Sequence, residues 1–314
     1  VLKSVFFGTA PLARASLAAL VASDFVQVLA VVTQPDRPQG RELKLTPSPV
    51  KALALELGLP VLQPARARDP DFVAQLRQIG PDVIVVAAYG QILPPAILDL
   101  PPLGCVNVHA SLLPKYRGAA PIQWAILHDD RETGVTLMKM DAGLDTGPIL
   151  AQAVTPIHAE DDAQTLHDRL AALGARLLVE TLPRFAAGQV TPHPQPAAGG
   201  SYARKITKAD GRIDWTKPAR ALWNQVRAFT PWPGSYTFLP GTGERRLLKV
   251  WAAAVEPEGR GEPGQVLCAA RQDLVVACGE GALRLLALQR EGGKRLGTEA
   301  FLAGLPLRVG DRLG

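Results

Sequence analysis

Short runs rich in Val, Ile and Phe alternate with Ala- and Leu-rich stretches of helical spacing through the first part of the chain, and this alternation restricts the fold more than any other feature. Parallel strands cannot be joined by a tight turn. Each needs a crossover, normally a helix, to bring the next strand alongside in the same direction. Strands are expected at 4–7, 26–32, 83–88, 105–109, 134–139 and 149–155, and helices at 12–20, 50–57, 71–79 and 166–185. Gly58 and Gly80 stand where helix-ending glycines belong. The first domain therefore reads as α/β, built from βαβ units.

From 189 to 201 the composition shifts to Pro, Gly, Ala and Gln without hydrophobic period, the mark of a connecting segment. At 314 residues the chain is long enough for two packed cores. The expected organisation is a domain over 1–188, a linker over 189–203 and a second domain over 204–314. In the second, one helix at 219–228 and strands at 247–255, 264–270, 274–278 and 283–288 fit a small all-β barrel of the oligonucleotide-binding type.

Charge follows the same division. Residues 1–200 hold 16 Lys and Arg against 18 Asp and Glu, and residues 201–314 hold 18 against 11, so the parts carry −2 and +7. A near-neutral body with a basic appendage points to a polyanionic partner. No apolar run approaches the roughly 18 to 20 residues a bilayer span needs, and the N-terminus lacks a basic leader, so no membrane partner and a cytoplasmic location are expected. Cys105, Cys268 and Cys278 have neither disulfide nor metal-knuckle spacing and read as buried thiols. His128, His158, His167 and His193 lack ligand spacing, so no metal is expected. Gly8 has no G-x-G-x-x-G around it, which argues against a dinucleotide site, and Trp223 and Trp232 read as packing residues.

In an open parallel sheet, ligands bind beyond the carboxyl ends of the strands. Asn107 and His109, two apart at the end of one apolar run, point to the same face. Asp141 and Asp145 lie in a Gly-punctuated loop between two strands, with Asp145 the better candidate for chemistry. Residue types alone leave open that the Asn and His are satisfied locally and that the Asp caps a turn.

The stretches NVHASLLPKYRGAAPIQWAI and ETGVTLMKMDAGLDTGPIL resemble the signature of the folate-dependent formyltransferases. The segments FFGTAPLARASL, TQPDRPQGRELKLTPSPVK, VVAAYGQILP, RIDW and RAFTPWP extend that resemblance from about Phe6 to the C-terminus. It implies a Rossmann-like formyl-transfer domain followed by an oligonucleotide-binding-type barrel, with 10-formyltetrahydrofolate as donor. The matched catalytic residues are Asn107, His109 and Asp145, and Ser111, Leu112, Leu113 and Pro114 match the folate-binding run, with 89–94 as a further wall. The expected acceptor is methionyl initiator tRNA, bound by a monomer. The alternative is a nucleotide amino sugar or glycinamide ribonucleotide. Formyl transfer needs an oxyanion donor, which the Asn107 amide supplies, and a group that exchanges protons near neutrality. His109 suits that need, since histidine's reference pKa is about 6.5. The 33–49 connection, with Arg37, Arg41 and Lys44, is the family's insertion toward the tRNA acceptor end, and reads as a loop without regular structure. Arg41 and Lys44 are its expected tRNA contacts, although Glu42 between them departs from the more basic form of the loop.

Overall fold

The computed structural model describes residues 1–39, 44–241 and 246–314. Two compact units emerge, one of residues 1–121, 132–156 and 167–203, the other of residues 122–131, 157–166 and 204–314.

In chain order the first 203 residues form β1 Leu2–Gly8, α1 Pro11–Val21, β2 Val26–Val32, β3 Arg37–Gln39, β4 Lys44–Thr46, α2 Pro49–Glu56, β5 Val61–Leu62, α3 Pro70–Ile79, β6 Val83–Ala87, α4 Pro95–Leu98, β7 Cys105–His109, β8 Arg117–Gly118, α5 Pro121–Leu127, β9 Glu132–Lys139, β10 Ile149–Pro156, α6 Ala163–Ala186 and β11 Tyr202–Ala203. Helices α1, α2 and α3 each open on a proline, where the missing N–H is harmless and the fixed φ suits the first turn. Ser48 caps α2 by accepting from the Lys51 N–H at 3.0 Å. Gly80 ends α3 in the left-handed region at φ +62°.

The main sheet has the order β10-β9-β7-β6-β1-β2-β5. Pairs among β7, β6, β1, β2 and β5 are parallel, and β9 runs antiparallel to both β7 and β10. Every residue of β6 and β7 is buried, as befits parallel strands covered on both faces. After β1 the chain builds β2 and β5 on one side, then returns to build β6 and β7 on the other. The connections diverge between β1 and β6, the kind of switch point beside which open α/β sheets bind ligands beyond the carboxyl ends of their strands. Strand β6 stops one residue short of expectation because Ala88 turns to φ +42°.

The 33–49 connection is not the structureless loop expected from its Pro and Gly content. Strands β3 and β4 pair antiparallel within it, Arg37 opposite Thr46 and Gln39 opposite Lys44. Its base is pinned by polar contacts. Lys51 Nζ and Gln63 Nε2 donate to Asp36 at 2.6 and 2.8 Å, which holds the Asp36 carboxyl below its ordinary pKa. Gln34 Nε2 and Thr9 Oγ1 both donate to the Tyr89 carbonyl, at 2.8 and 3.0 Å.

The second unit is organised around an antiparallel sheet. Its elements are α7 Ala219–Ala228, β12 Ser235–Phe238, β13 Leu247–Glu256, β14 Val266–Ala270, β15 Asp273–Ala277, β16 Ala282–Arg290, β17 Leu296–Gly297 and α8 Thr298–Gly304. Strand order is β12-β13-β16-β15-β14, with β17 added beside β16, and register shifts after Val250 and Ala252 bend β13. Leu222 and Val226 of α7 join Leu248, Val250, Leu283, Leu285 and Phe301 in one apolar core. Trp223 packs partly against that core, but Arg220 and Arg227 cover its ring at 4.4 and 4.1 Å. Trp232, expected to pack, is 49% exposed.

Of the three thiols only two are buried, because Cys268 stands half-exposed on β14. Burial pushes Cys105 and Cys278 up to about 12. In native protein at neutral pH, a disulfide-exchange reagent should therefore titrate Cys268 alone, with the other two released only on unfolding. Rapid native modification of two or three thiols would contradict this burial.

Candidate active site

Strand β7 carries Asn107 and His109 to the carboxyl edge of the sheet, 8% and 7% exposed. Their register is fixed from both sides, Asn107 lying between Val86 and Met138, and His109 opposite Thr136. Two residues of separation along a strand place both side chains on one face. The Asn107 amide makes no side-chain hydrogen bond among the described residues, whereas His109 is held. Its Nε2 lies 2.9 Å from the Tyr116 carbonyl. A carbonyl oxygen only accepts, so Nε2 carries a hydrogen in either charge state and Nδ1 is the nitrogen that gains and loses one.

Nδ1 faces Asp145, whose Oδ1 stands 3.8 Å away. That separation is too long for a direct hydrogen bond but still within about 4 Å, the outer reach of an ion pair. Asp145 lies between β9 and β10 at φ +52°, in the left-handed region that aspartate tolerates better than most side-chain-bearing residues. Its Oδ2 accepts from the Gly118 N–H at 2.8 Å. Gly147, two residues on, admits no side chain, since a Cβ there would stand 1.8 Å from the Lys139 carbonyl oxygen. The neighbouring carboxylate, Asp141, closes the same loop by accepting from Thr146 Oγ1 at 2.7 Å and from the Gly143 N–H at 3.0 Å.

The loop after β7 is fastened by a single buried hydroxyl. Thr136 Oγ1 donates to the Ser111 carbonyl at 2.6 Å and accepts from the Leu113 N–H at 3.0 Å and Gln152 Nε2 at 2.9 Å. Gln152 also donates to the Leu113 carbonyl at 3.0 Å. Ser111 turns inward and donates to the Lys115 carbonyl at 2.7 Å. Residues 111–114 are thus a shaped backbone ledge next to His109, with Leu113 buried and Leu112 and Pro114 partly so.

The 189–203 segment is fastened along this site. His193 pairs with Ile149, Tyr202–Ala203 pairs with Arg117–Gly118, and the Tyr116 N–H donates to Ser201 Oγ at 2.9 Å. Gln195 bonds Arg117, Asp145 and Gly147 together. Of the residues expected from sequence, the fold brings His109 and Asp145 together, with Asn107 beside His109 on one strand face and 111–114 next to them. Arg41 lies outside the described residues, and Lys44 belongs to β4 of the hairpin. Sequence reasoning put Tyr116 and Arg117 in a loop that could wall a ligand but gave them no role, and it missed Thr136 and Gln195. Strand alternation could have found Thr136, but no pattern marked Gln195.

Among the described residues no cluster of His, Cys, Asp or Glu could hold a metal, and no helix is long and apolar enough to cross a membrane.

Residues 2–182 match the formyl transferase family, and residues 205–306 match the formyl transferase C-terminal domain. The methionyl-tRNA formyltransferase of Geobacter sulfurreducens is 50% identical over 313 residues, which is 100% of this chain and 97% of that protein. The enzyme of the same name from Pelobacter propionicus is 52% identical over 310 residues, 99% of this chain and 95% of that one. The chain belongs to the methionyl-tRNA formyltransferase family. Solved structures agree on the fold. An N-formyltransferase from Helicobacter canadensis superposes with a TM-score of 0.66 at 21% identity, over 94% of this chain and 100% of that one. HypX from Aquifex aeolicus, solved in complex with tetrahydrofolic acid, superposes with a TM-score of 0.62 at 18% identity, over 96% of this chain and 47% of that one.

The family's loop after β7 depends here on Thr136, so replacing its hydroxyl with an isosteric methyl should be costly. Thr136→Val leaves the Leu113 N–H and Ser111 carbonyl without their partner and should destabilise the protein by about 1 to 3 kcal/mol in urea denaturation. An unchanged midpoint would show that the loop is held some other way.

Proposed function

We propose that this chain transfers the formyl group of 10-formyltetrahydrofolate to the α-amino group of methionyl initiator tRNA, acting as a cytoplasmic monomer in translation initiation. One observation carries the choice of acceptor, the full-length likeness at half identity to proteins named for that reaction. We assign the catalytic roles to Asn107, His109 and Asp145.

The chemistry requires an uncharged amine to attack the formyl carbon, negative charge on the formyl oxygen to be stabilised, and a proton to pass from the amine to the departing folate nitrogen. The Asn107 amide, which has no side-chain hydrogen bond among the described residues, is suited to donate to that oxygen. Loss of such a donor typically costs about 3 to 4 kcal/mol of transition-state stabilisation. With Nε2–H engaged by Tyr116, His109 exchanges its proton at Nδ1. Asp145 stands opposite the charge that develops on the ring, whose orientation the Tyr116 carbonyl holds.

The folate donor fits the ledge of Ser111, Leu112, Leu113 and Pro114 together with the 89–94 loop after β6. Ile92 and Leu144, 86% and 52% exposed on the loops after β6 and β9, offer apolar surface of the kind a flat ring system covers. In this reading 1–188 is the formyl-transfer domain, 189–203 the connection and 204–314 the tRNA-binding domain. Arg41 and Lys44 of the 33–49 segment contact phosphates near the acceptor end, and the +7 region supports binding by charge and shape.

Purified protein offered 10-formyltetrahydrofolate should formylate methionyl initiator tRNA in preference to glycinamide ribonucleotide or a nucleotide amino sugar. Asn107→Ala and His109→Ala should each lower kcat by about a hundredfold or more, with the fold retained by circular dichroism. Preference for a small acceptor would overturn the assignment.

A further inference from the structure

Gln195 uses every hydrogen bond its side chain can make. Oε1 accepts from Arg117 Nε at 3.0 Å and Nη2 at 2.6 Å. Nε2 donates to the Asp145 carbonyl at 2.7 Å and the Gly147 carbonyl at 2.9 Å. A primary amide has two donor hydrogens and two acceptor lone pairs, so none remains. The two ends cannot exchange roles, because guanidinium nitrogens only donate and carbonyl oxygens only accept.

The connection closes on itself. Arg117 is followed by Gly118, whose N–H holds the Asp145 carboxylate at 2.8 Å. Gln195 therefore grips the backbone of Asp145 from one side, and the residue after its own partner grips the side chain from the other. Asp145 itself sits in the left-handed region at φ +52°, which aspartate tolerates better than most side-chain-bearing residues, so these bonds fix where its carboxylate points. Arg117 is itself fixed by the same stretch of chain, its N–H donating to the Ser201 carbonyl at 2.8 Å.

We propose that Gln195, from the irregular segment after α6, is a positioning residue that sets the Asp145 carboxylate 3.8 Å from His109 Nδ1 and thereby governs the rate of formyl transfer. The proposal rests on the reading of Asp145 as a catalytic carboxylate. Gln195 meets no substrate in this role. Its effect passes through the backbone of residues 145–147, so it belongs in kcat rather than in the affinity for either substrate. Misplacement of a reacting group by about 1 Å can cost on the order of a hundredfold.

The test compares Gln195→Glu, Gln195→Ala and Arg117→Ala with Asp145→Ala, alone and combined, by steady-state kinetics with 10-formyltetrahydrofolate and methionyl initiator tRNA. Gln195→Glu still accepts from Arg117 but sets a carboxylate oxygen against two carbonyls. It should lower kcat by about tenfold to a hundredfold, at least as far as Gln195→Ala, with both KM values within about threefold. In the Asp145→Ala background the same change should have almost no further effect, as for two residues acting through one step. Arg117→Ala should lower kcat in the same sense, and it carries the test should the Gln195 variants fail to fold. Full multiplication of the Gln195 and Asp145 effects, a loss carried by KM, or wild-type kcat in Gln195→Glu would overturn the proposal. Wild-type turnover in Asp145→Ala would instead overturn the underlying assignment of that carboxylate.

Discussion

A chain that leaves a parallel sheet at its carboxyl edge loses the ladder that satisfied its amides, and each must find another partner if the edge is to stay dry and rigid. The site follows from how that need is met. The Thr136 hydroxyl serves both Ser111 and Leu113, and Ser201 takes the N–H of Tyr116 on its side chain and that of Arg117 on its carbonyl. Gly118 and Gln195 hold Asp145. With so many polar atoms committed to shaping loops, the Asn107 amide and His109 Nδ1 are groups left for chemistry.

The elements legible in the sequence are those whose residues report their own burial. Runs such as Val83–Ala87 and Cys105–His109 are apolar because both faces of the strand are covered, and period and length suffice to find them. Asn107 and His109 stood out because polar residues interrupt such a run. The β3–β4 hairpin escaped because its ladder is three residues long and its composition is that of a loop. Gln195 escaped for a deeper reason. In a segment of Pro, Gly, Ala and Gln nothing local distinguishes one glutamine from another, and this one matters only through partners 78 and 50 residues away.

The second unit shows why net charge alone does not locate an RNA surface. Arg220 and Arg227 flank Trp223, but Arg220 donates to both Asp129 oxygens, and Arg227 to the carbonyls of Asp161 and His158. Those hydrogen bonds hold the Asp129 carboxyl below its ordinary pKa, while burial lowers that of Arg227. Both guanidinium groups are engaged inside the unit, so the aromatic stack they form is architecture. Arg204 is likewise tied to Asp210, its cation lying 5.5 Å over the ring of Trp124. The net charge of +7 over 201–314 therefore includes cations already engaged within the unit.

The distance between His109 and Asp145 matters for the same reason. Were the carboxylate hydrogen-bonded directly to Nδ1, both ring nitrogens would be engaged within the protein, Nε2 by the Tyr116 carbonyl and Nδ1 by Asp145, and Nδ1 would have to break that bond before meeting a substrate atom. At 3.8 Å the carboxylate still bears electrostatically on the ring, while Nδ1 is left without a direct hydrogen bond to it. No direct bond sets that spacing. It has to be imposed from outside the pair, by the loop backbone at 145–147 and the strand register of His109, and those are the two features to which the surrounding hydrogen bonds are devoted.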